Sequence, residues 1–226
     1  MKSDYSDLEA LADLKWQENC SFRSFLKFDE TLSDKELDRL VFKTADEVAS
    51  KIDCTQCGRC CNRLAPLVSE DDQLRLAKRL QITVQQLQNE YLEYEEDDEA
   101  GWIVKGEPCV FLKDTQCSIY EDRPDNCREY PYLDSVDFNQ RAMGMIQRTQ
   151  TCPIVFNVME SLKEEYRFKE QRVNDGSWDD EGCDDDFSED DIDLLNLKNI
   201  LEQAKPLEEI RPMSKKRNAK KGKRKY

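Results

Sequence analysis

The residues able to do chemistry in this chain are cysteines, and four of them come in one dense run. Cys54-Thr55-Gln56-Cys57-Gly58-Arg59-Cys60-Cys61 places these thiols within a few positions. A CxxC turn brings two sulfurs to one centre, and thiolates so gathered suit zinc, iron or an iron–sulfur cluster. Gly58 lets backbone amides approach the sulfurs without a side-chain clash. The spacing of Cys57 and Cys60 repeats the first pair. Cys60 and Cys61 are adjacent, and neighbouring side chains tend to point apart. One of them is therefore expected to serve a second centre or a different role. Cys109, Cys117, Cys127 and Cys152 follow, bringing the set to eight and sufficing for two four-thiolate sites. Of the 10 cysteines, Cys20 and Cys183 remain. Cys20 lies on an amphipathic segment and reads as a small buried hydrophobe. Cys183 lies among aspartates, whose field disfavours a thiolate, and reads as an exposed thiol without a role.

A buried thiolate needs a cation or a hydrogen bond. Arg59, Arg123 and Arg128 lie beside the cysteines, either to offset their charge or to form ordinary surface ion pairs. Tyr120, Tyr130 and Tyr132 flank the same elements, either to screen the centre and hydrogen-bond to sulfur or simply to fill the core. Pro124 and Pro131 are expected to shape turns around Cys127. Glu121, Asp122 and Glu129 read as solvated or salt-bridged groups rather than oxygen ligands.

The sequence has no histidine, which excludes a Ser-His-Asp triad, a Cys-His pair and any His-ligated metal. It has no dinucleotide fingerprint and no phosphate-binding Walker loop. A catalytic zinc would need an open coordination position, and eight thiolates offer no obvious vacancy. Whether the protein is an enzyme is not decided by these residues.

The elements that must position the cysteines come from 226 residues, enough for one ordinary domain with arms. Hydrophobic residues make up 38%, charged residues 37%, and mean hydropathy is -0.85, so a modest core helped by metal or cross-links is expected. No apolar run approaches the roughly 20 residues of a membrane span. The N-terminus is acidic and lacks a basic region followed by an apolar stretch, so it reads as neither a secretory signal nor a presequence. Ten cysteines without a signal suit a reducing, cytoplasmic compartment better than five disulfides.

Periodicity predicts helix at the start of 4–28, from Leu8, Leu11, Leu14, Phe22, Phe25 and Leu26. Ser33 with Glu36 is a capping box opening a helix that carries Leu37, Leu40, Val41, Ala45 and Val48 and ends near Lys51. Residues 54–61 are too rich in Cys, Gly and polar side chains for a regular element. Ser69 with Asp72 caps a helix bearing Leu74, Ala77 and Leu80, and Thr83 opens another with Val84, Leu87 and Tyr91. The six acidic residues from Glu93 to Glu99 read as a solvated loop. Trp102 to Val104 is strand-like. Cys109 to Leu112 and Cys117 to Tyr120 form a hairpin across a polar turn. Pro124 starts a short helix with Cys127 one turn on, and Pro153 opens one with Phe156, Met159, Leu162 and Tyr166 on a face.

Charge divides the rest. The stretch 175–193 holds 11 acidic residues and no basic ones, a low-order belt without the spaced ligands of a calcium loop. A short amphipathic piece follows, with Leu194, Leu195, Leu197, Ile200 and Leu201. The tail, 211–226, holds nine basic residues and no acidic ones. The preceding 210 residues therefore carry 25 basic against 49 acidic side chains, a net of -24. Such a body repels nucleic acid while the tail attracts it, though without aromatics to stack on bases.

Several elements together resemble one family. Cys54 to Cys61 resembles the signature of the CxxCxxCC zinc- or iron-chelating domain, also called the YkgJ-type cysteine-cluster family. Pro108-Cys109-Val110-Phe111-Leu112 is similar to its PCxFL element and Cys117-Ser118-Ile119-Tyr120-Glu121-Asp122-Arg123-Pro124 to its CSIYExRP element. Cys127-Arg128-Glu129-Tyr130-Pro131 is similar to CRxYP, and Cys152-Pro153 to the closing cysteine. The resemblance covers roughly 50–155 and implies metal binding more than any particular activity.

The expected architecture is mainly α with a short β-hairpin, a small metal-organised cysteine-cluster domain. Its expected segments are a helical 1–50, a cysteine-cluster domain over 51–172, an acidic 173–210 and a basic 211–226. The expected function is metal binding through Cys54, Cys57, Cys60, Cys61, Cys109, Cys117, Cys127 and Cys152. Zn(2+) leads, with Fe or an iron–sulfur cluster as the alternative, and the metal mainly organises the fold. An iron–sulfur redox protein or enzyme, and an RNA- or ribosome-associated assembly factor using the basic tail, are the competing readings. The expected partners are a metal ion and a protein or RNA at the tail, with no membrane.

Overall fold

The first helical stretch divides at Lys15 into α1 (Leu8–Leu14) and α2 (Trp16–Phe28), each burying one apolar edge. These come from a computed structural model describing residues 7–29, 31–96 and 101–168, all within the unit Met1–Ile192. The acidic belt, Cys183, the amphipathic piece and the basic tail lie outside the described residues.

Helix α3 (Asp34–Ala49) opens on the Ser33–Glu36 box, in which the Glu36 carboxylate accepts from the Ser33 amide at 2.9 Å. The predicted hydrophobic face is buried at Leu37, Val41 and Val48. The box of Ser69 and Asp72 opens α6 (Glu70–Leu80), and that of Thr83 and Gln86 opens α7 (Val84–Tyr91). The buried face of α6 is Leu76 and Ala77; Leu74, placed on it by spacing, is exposed.

Residues 54–61 depart from expectation. They form two single-turn helices, α4 (Cys54–Cys57) and α5 (Arg59–Arg63), hinged at Gly58. Gly58 sits at φ +63, a conformation that carries a Cβ penalty for other residues, so it ends one turn and starts the next.

Two antiparallel hairpins follow. Strand β1 (Leu92–Glu95) pairs with β2 (Gly101–Val104), with Leu92 opposite Val104 and Tyr94 opposite Trp102. The start of the acidic stretch is thus a strand: Leu92 is buried while Glu93, Tyr94 and Glu95 face outward. The second hairpin, β3 (Leu112–Lys113) with β4 (Gln116–Cys117), lies where expected but is shorter. A 3-10 turn (Tyr120–Asp122) leads to α8 (Asp125–Glu129), with Pro124 at its cap. Cis peptide bonds precede Pro108 and Pro131.

The helix α9 (Phe138–Thr149) is not foreseen from the sequence. Its last partner, α10 (Pro153–Glu165), has Pro153 in its first turn and buries Phe156, Met159 and Leu162 as expected. The observed fold is therefore mainly α with two small antiparallel hairpins among the described residues.

The apolar side chains gather into two main cores. One joins α2, α3, α9 and α10 around Phe22, Val41, Phe138, Ile146, Val155 and Met159, and includes Cys152. The other joins α6, α7 and the hairpins around Leu76, Leu87, Leu92, Val104 and Phe111, with Cys109 and Cys117 packed against it. The cysteines thus border both cores. No helix among the described residues is long and apolar enough to cross a membrane.

Candidate metal centre

Each cysteine is carried by a short element held in place by its neighbours. Asp53 caps α4, its carboxylate accepting from the Thr55 amide at 2.9 Å and the Thr55 hydroxyl at 2.7 Å. The Asn62 amide donates to the Gly58 carbonyl at 2.7 Å and closes α5. The Cys109 amide donates to the Cys61 carbonyl at 2.8 Å, which ties the second hairpin's approach to α5. Arg59 donates to the Gln150 carbonyl at 3.1 Å, fixing α5 beside the turn that leads to Cys152. The turn before α8 is held by Arg75, whose guanidinium donates to the carbonyls of Asp122 at 3.3 Å and Arg123 at 3.0 Å. It also pairs with Asp125 at 2.9 Å and with buried Asp72. Asp72 in turn accepts from the Asp125 amide at 3.2 Å. Spacing alone presents Asp72 only as half of a capping box, and nothing local marks Arg75.

All eight motif cysteines carry free sulfurs, Cys152 buried, Cys54 exposed and the others half-buried. Cys20 is buried as expected, but it is disulfide-bonded and stands apart from this set.

The eight lie close enough to act on one another electrostatically. Desolvation of the sulfur first, then the negative potential of neighbouring sulfurs, pushes the thiols of Cys54, Cys109 and Cys117 above their ordinary range, in Cys54 although the residue as a whole is exposed. Cys57 is raised the same way. Burial pushes Cys127 and Cys152 up to about 12. Cys61 rises further, first through its contact with Cys60 and then through burial.

These influences sort most of the set, with Cys61 acting on both sides because it also raises Cys54 and Cys57. Cys127 feels Cys61, Cys109 and Cys117, and Cys109 feels Cys61 and Cys117. Cys152 feels Cys54 and Cys57. The two groups meet at Cys60 and Cys61, whose sulfurs are 4.0 Å apart. The expectation that these adjacent side chains point apart is corrected here, because the tight turn of α5 keeps both sulfurs on one side.

Among the described residues, no group of three or more Cys, Asp and Glu side chains is arranged to hold a metal ion as it stands. The sulfurs converge without closing. The chemistry of the donor set nevertheless fits a soft cation. Neutral thiols crowded together resist ionisation, and a bound cation supplies the charge that lets them ionise.

The neighbours sort clearly. Arg123 lowers the cost of ionising Cys54, Cys61, Cys117 and Cys127, and its guanidinium sits 3.8 Å above the Tyr120 ring. Arg59 does the same for Cys57. Arg128 instead fastens the loop, donating to the carbonyls of Arg123 at 3.0 Å and Glu121. Asp122 pairs with Arg79 at 3.2 Å, an ion pair rather than a ligand. The Tyr132 hydroxyl donates to the Asn126 carbonyl at 3.3 Å. The buried Tyr130 hydroxyl has no hydrogen-bond partner among the described residues.

A family model described as "CxxCxxCC: Putative zinc- or iron-chelating domain" matches residues 53–153. The match runs from the cap of α4 to the first residue of α10, under half of the chain, and takes in all eight motif cysteines. This stretch is similar to the domain that defines that family. No curated protein and no solved structure matches the chain.

Proposed function

We propose that this protein binds metal through two abutting four-thiolate groups, Cys54, Cys57, Cys60 and Cys152 on one side and Cys61, Cys109, Cys117 and Cys127 on the other. One observation carries the reading. Sulfurs from six short segments, spread from position 54 to position 152, fall within electrostatic reach of one another: Cys152 with Cys54 and Cys57, and Cys127 with Cys61, Cys109 and Cys117, with Cys61 also reaching Cys54, Cys57 and Cys60 where the sets abut. Zn(2+) is the favoured ion, because four thiolates in a closed tetrahedral site suit it and it would cross-link elements too short to hold themselves. The ion supplies positive charge and cross-linking; Arg123 and Arg59 offset part of the surplus negative charge that four thiolates leave around a divalent ion. Fe or an iron–sulfur cluster uses the same donors and makes the protein a redox centre instead.

The test is elemental analysis with a visible spectrum on anaerobically purified full-length protein. Two zinc ions per chain without visible absorption are expected. A brown protein with iron and sulfide identifies the cluster alternative, and a metal-free protein with unreactive thiols overturns the reading. The RNA- or ribosome-associated role rests on the basic tail, and is checked by whether removing 211–226 abolishes co-sedimentation with ribosomes.

A further inference from the structure

Three tyrosines border the cysteines, and their hydroxyls have different fates. Tyr120 is at the surface under the Arg123 guanidinium. Tyr132 has a carbonyl to donate to. Tyr130 packs against the helical core that contains Cys152, and its hydroxyl is sealed from solvent with no partner. A buried hydroxyl left unpaired forfeits its hydration with nothing in return, so such an atom in a native site calls for a partner that arrives later.

The surroundings say which partner. The charged or ionisable groups acting on the Tyr130 hydroxyl are Cys152, Cys60, Arg148 and Tyr132. Arg148 is a donor only, and it is engaged with the Gly144 carbonyl at 2.7 Å. The Tyr132 hydroxyl is committed to Asn126. That leaves two sulfurs. A neutral thiol is a weak acceptor, whereas a metal-bound thiolate is a strong one. The hydroxyl is therefore poorly served while the cysteines are protonated and well served once they ionise.

We infer that Tyr130 is a positioning residue for the loaded centre, donating its hydroxyl hydrogen bond to a metal-bound thiolate of the Cys60–Cys152 group. The inference rests on the metal-binding reading above and assigns that group a hydroxyl donor in addition to the backbone amides that serve sulfurs of both groups. Its consequence is asymmetry. The Cys60–Cys152 group gains affinity from the hydrogen bond, as outer partners of metal ligands do, typically by 10- to 100-fold. The Cys61–Cys127 group relies on the Arg123 charge and on backbone amides that donate to Cys109 and Cys117.

The experiment titrates Co2+, a zinc stand-in with visible thiolate-to-metal bands, into full-length wild type, Tyr130→Phe and Tyr132→Phe under anaerobic conditions, followed by Zn2+ competition. Urea unfolding of each metal-free protein runs alongside. Tyr130→Phe is expected to lose about 10- to 100-fold in affinity at one of the two sites and to shift that site's band. Its metal-free urea midpoint should equal or exceed wild type, because an unpaired hydroxyl has been removed. Tyr132→Phe should show the opposite pattern, with a lower midpoint and Co2+ affinity within about threefold of wild type, since only a net hydrogen bond is lost. Wild-type affinity and an unshifted band in Tyr130→Phe overturn the inference. So does a fall in its metal-free midpoint, which would mean that the hydroxyl already has a partner. A wild type that takes up no Co2+ defeats the metal reading itself, an outcome readily told apart from the other two.

Discussion

A methyl group at position 58 would stand 3.4 Å from the Thr115 carbonyl oxygen on a backbone at φ +63. The contact is tolerable; the dihedral is not. Left-handed backbone costs a residue with a Cβ about 1–2 kcal/mol. Gly58→Ala should therefore lower urea stability by about that amount. It should lower metal affinity as well, because the hinge sets the angle between the Cys54–Cys57 turn and the Cys60–Cys61 turn. Isothermal titration with Zn2+ beside a denaturation curve checks both. The cysteine set and the glycine are legible from sequence at this scale, since CxxC spacing and a central Gly have local meanings. The separate fates of Tyr120, Tyr130 and Tyr132 are not. Tyr120 and Tyr132 take their partners from the folded loop around them, Arg123 and the Asn126 carbonyl, and Tyr130 packs against a helical core drawn from distant segments, none of which spacing specifies.

Helices that begin with their own caps were readable, and one that borrows its cap was not. The boxes at Ser33, Ser69 and Thr83 each place donor and acceptor three residues apart, so α3, α6 and α7 follow from local spacing. Helix α9 opens on Asp137 in a left-handed conformation with no side-chain cap of its own. Its first amides, Asp137 and Phe138, donate to the buried Asp38 carboxylate at 3.0 and 2.9 Å, from a residue about a hundred positions away. Asp38→Ala should destabilise the protein by about 1–3 kcal/mol, by removing a cap and leaving buried amides unpaired. Asp38→Asn, which keeps one acceptor, should lose less in the same urea assay. The strand β1 was hidden for a related reason: its partner, β2, supplies the pairing, and acidic side chains cover its outer face.

Between α2 and α10 lies a charged clamp. Buried Lys163 contacts Glu18 at 2.7 Å, Glu160 at 2.6 Å and the Asn19 side-chain Oδ1 at 3.0 Å, while Lys15 contacts Glu18 at 2.6 Å. Burial alone would raise the Glu18 carboxyl, but hydrogen bonds and charge from Lys15 and Lys163 outweigh it and hold it below the ordinary value of 4.5. A carboxyl depressed in the folded state stabilises the fold above its unfolded value, and that contribution is lost as pH falls through its folded value. The urea midpoint should therefore drop as pH goes below about 4.5. In Glu18→Gln the midpoint should start lower at neutral pH and fall less across that acid window. Parallel curves for the two proteins would remove the clamp from the account.

At the scale of the whole molecule, the two cores stand in unequal relation to the proposed metal centre. The helical core is built from α2, α3, α9 and α10, which run 12 to 16 residues and bury large apolar side chains against each other. The cysteine-bearing pieces α4, α5 and α8 run 4 to 5 residues, and β3 and β4 only 2. Single turns of this length are unstable by themselves, because helix nucleation is unfavourable and few residues repay it. Their order depends on tethers such as the Cys109–Cys61 backbone hydrogen bond, the Arg75 contacts and, on the proposed function, a bound cation. Stripping metal with a chelator should therefore not unfold the chain uniformly. Hydrogen exchange should accelerate by orders of magnitude across 54–63 and 109–129, by an amount set by local opening rather than global unfolding. The amides of α3 and α10 should keep most of their protection. Cys152 joins the two regimes, since it belongs to the helical core and precedes α10, so the first turn of α10 should be the part of that core most affected. Simultaneous loss of protection in α3 and in 54–63 would show instead that the cores form one cooperative unit, with the metal holding the entire described fold rather than its cysteine-rich side.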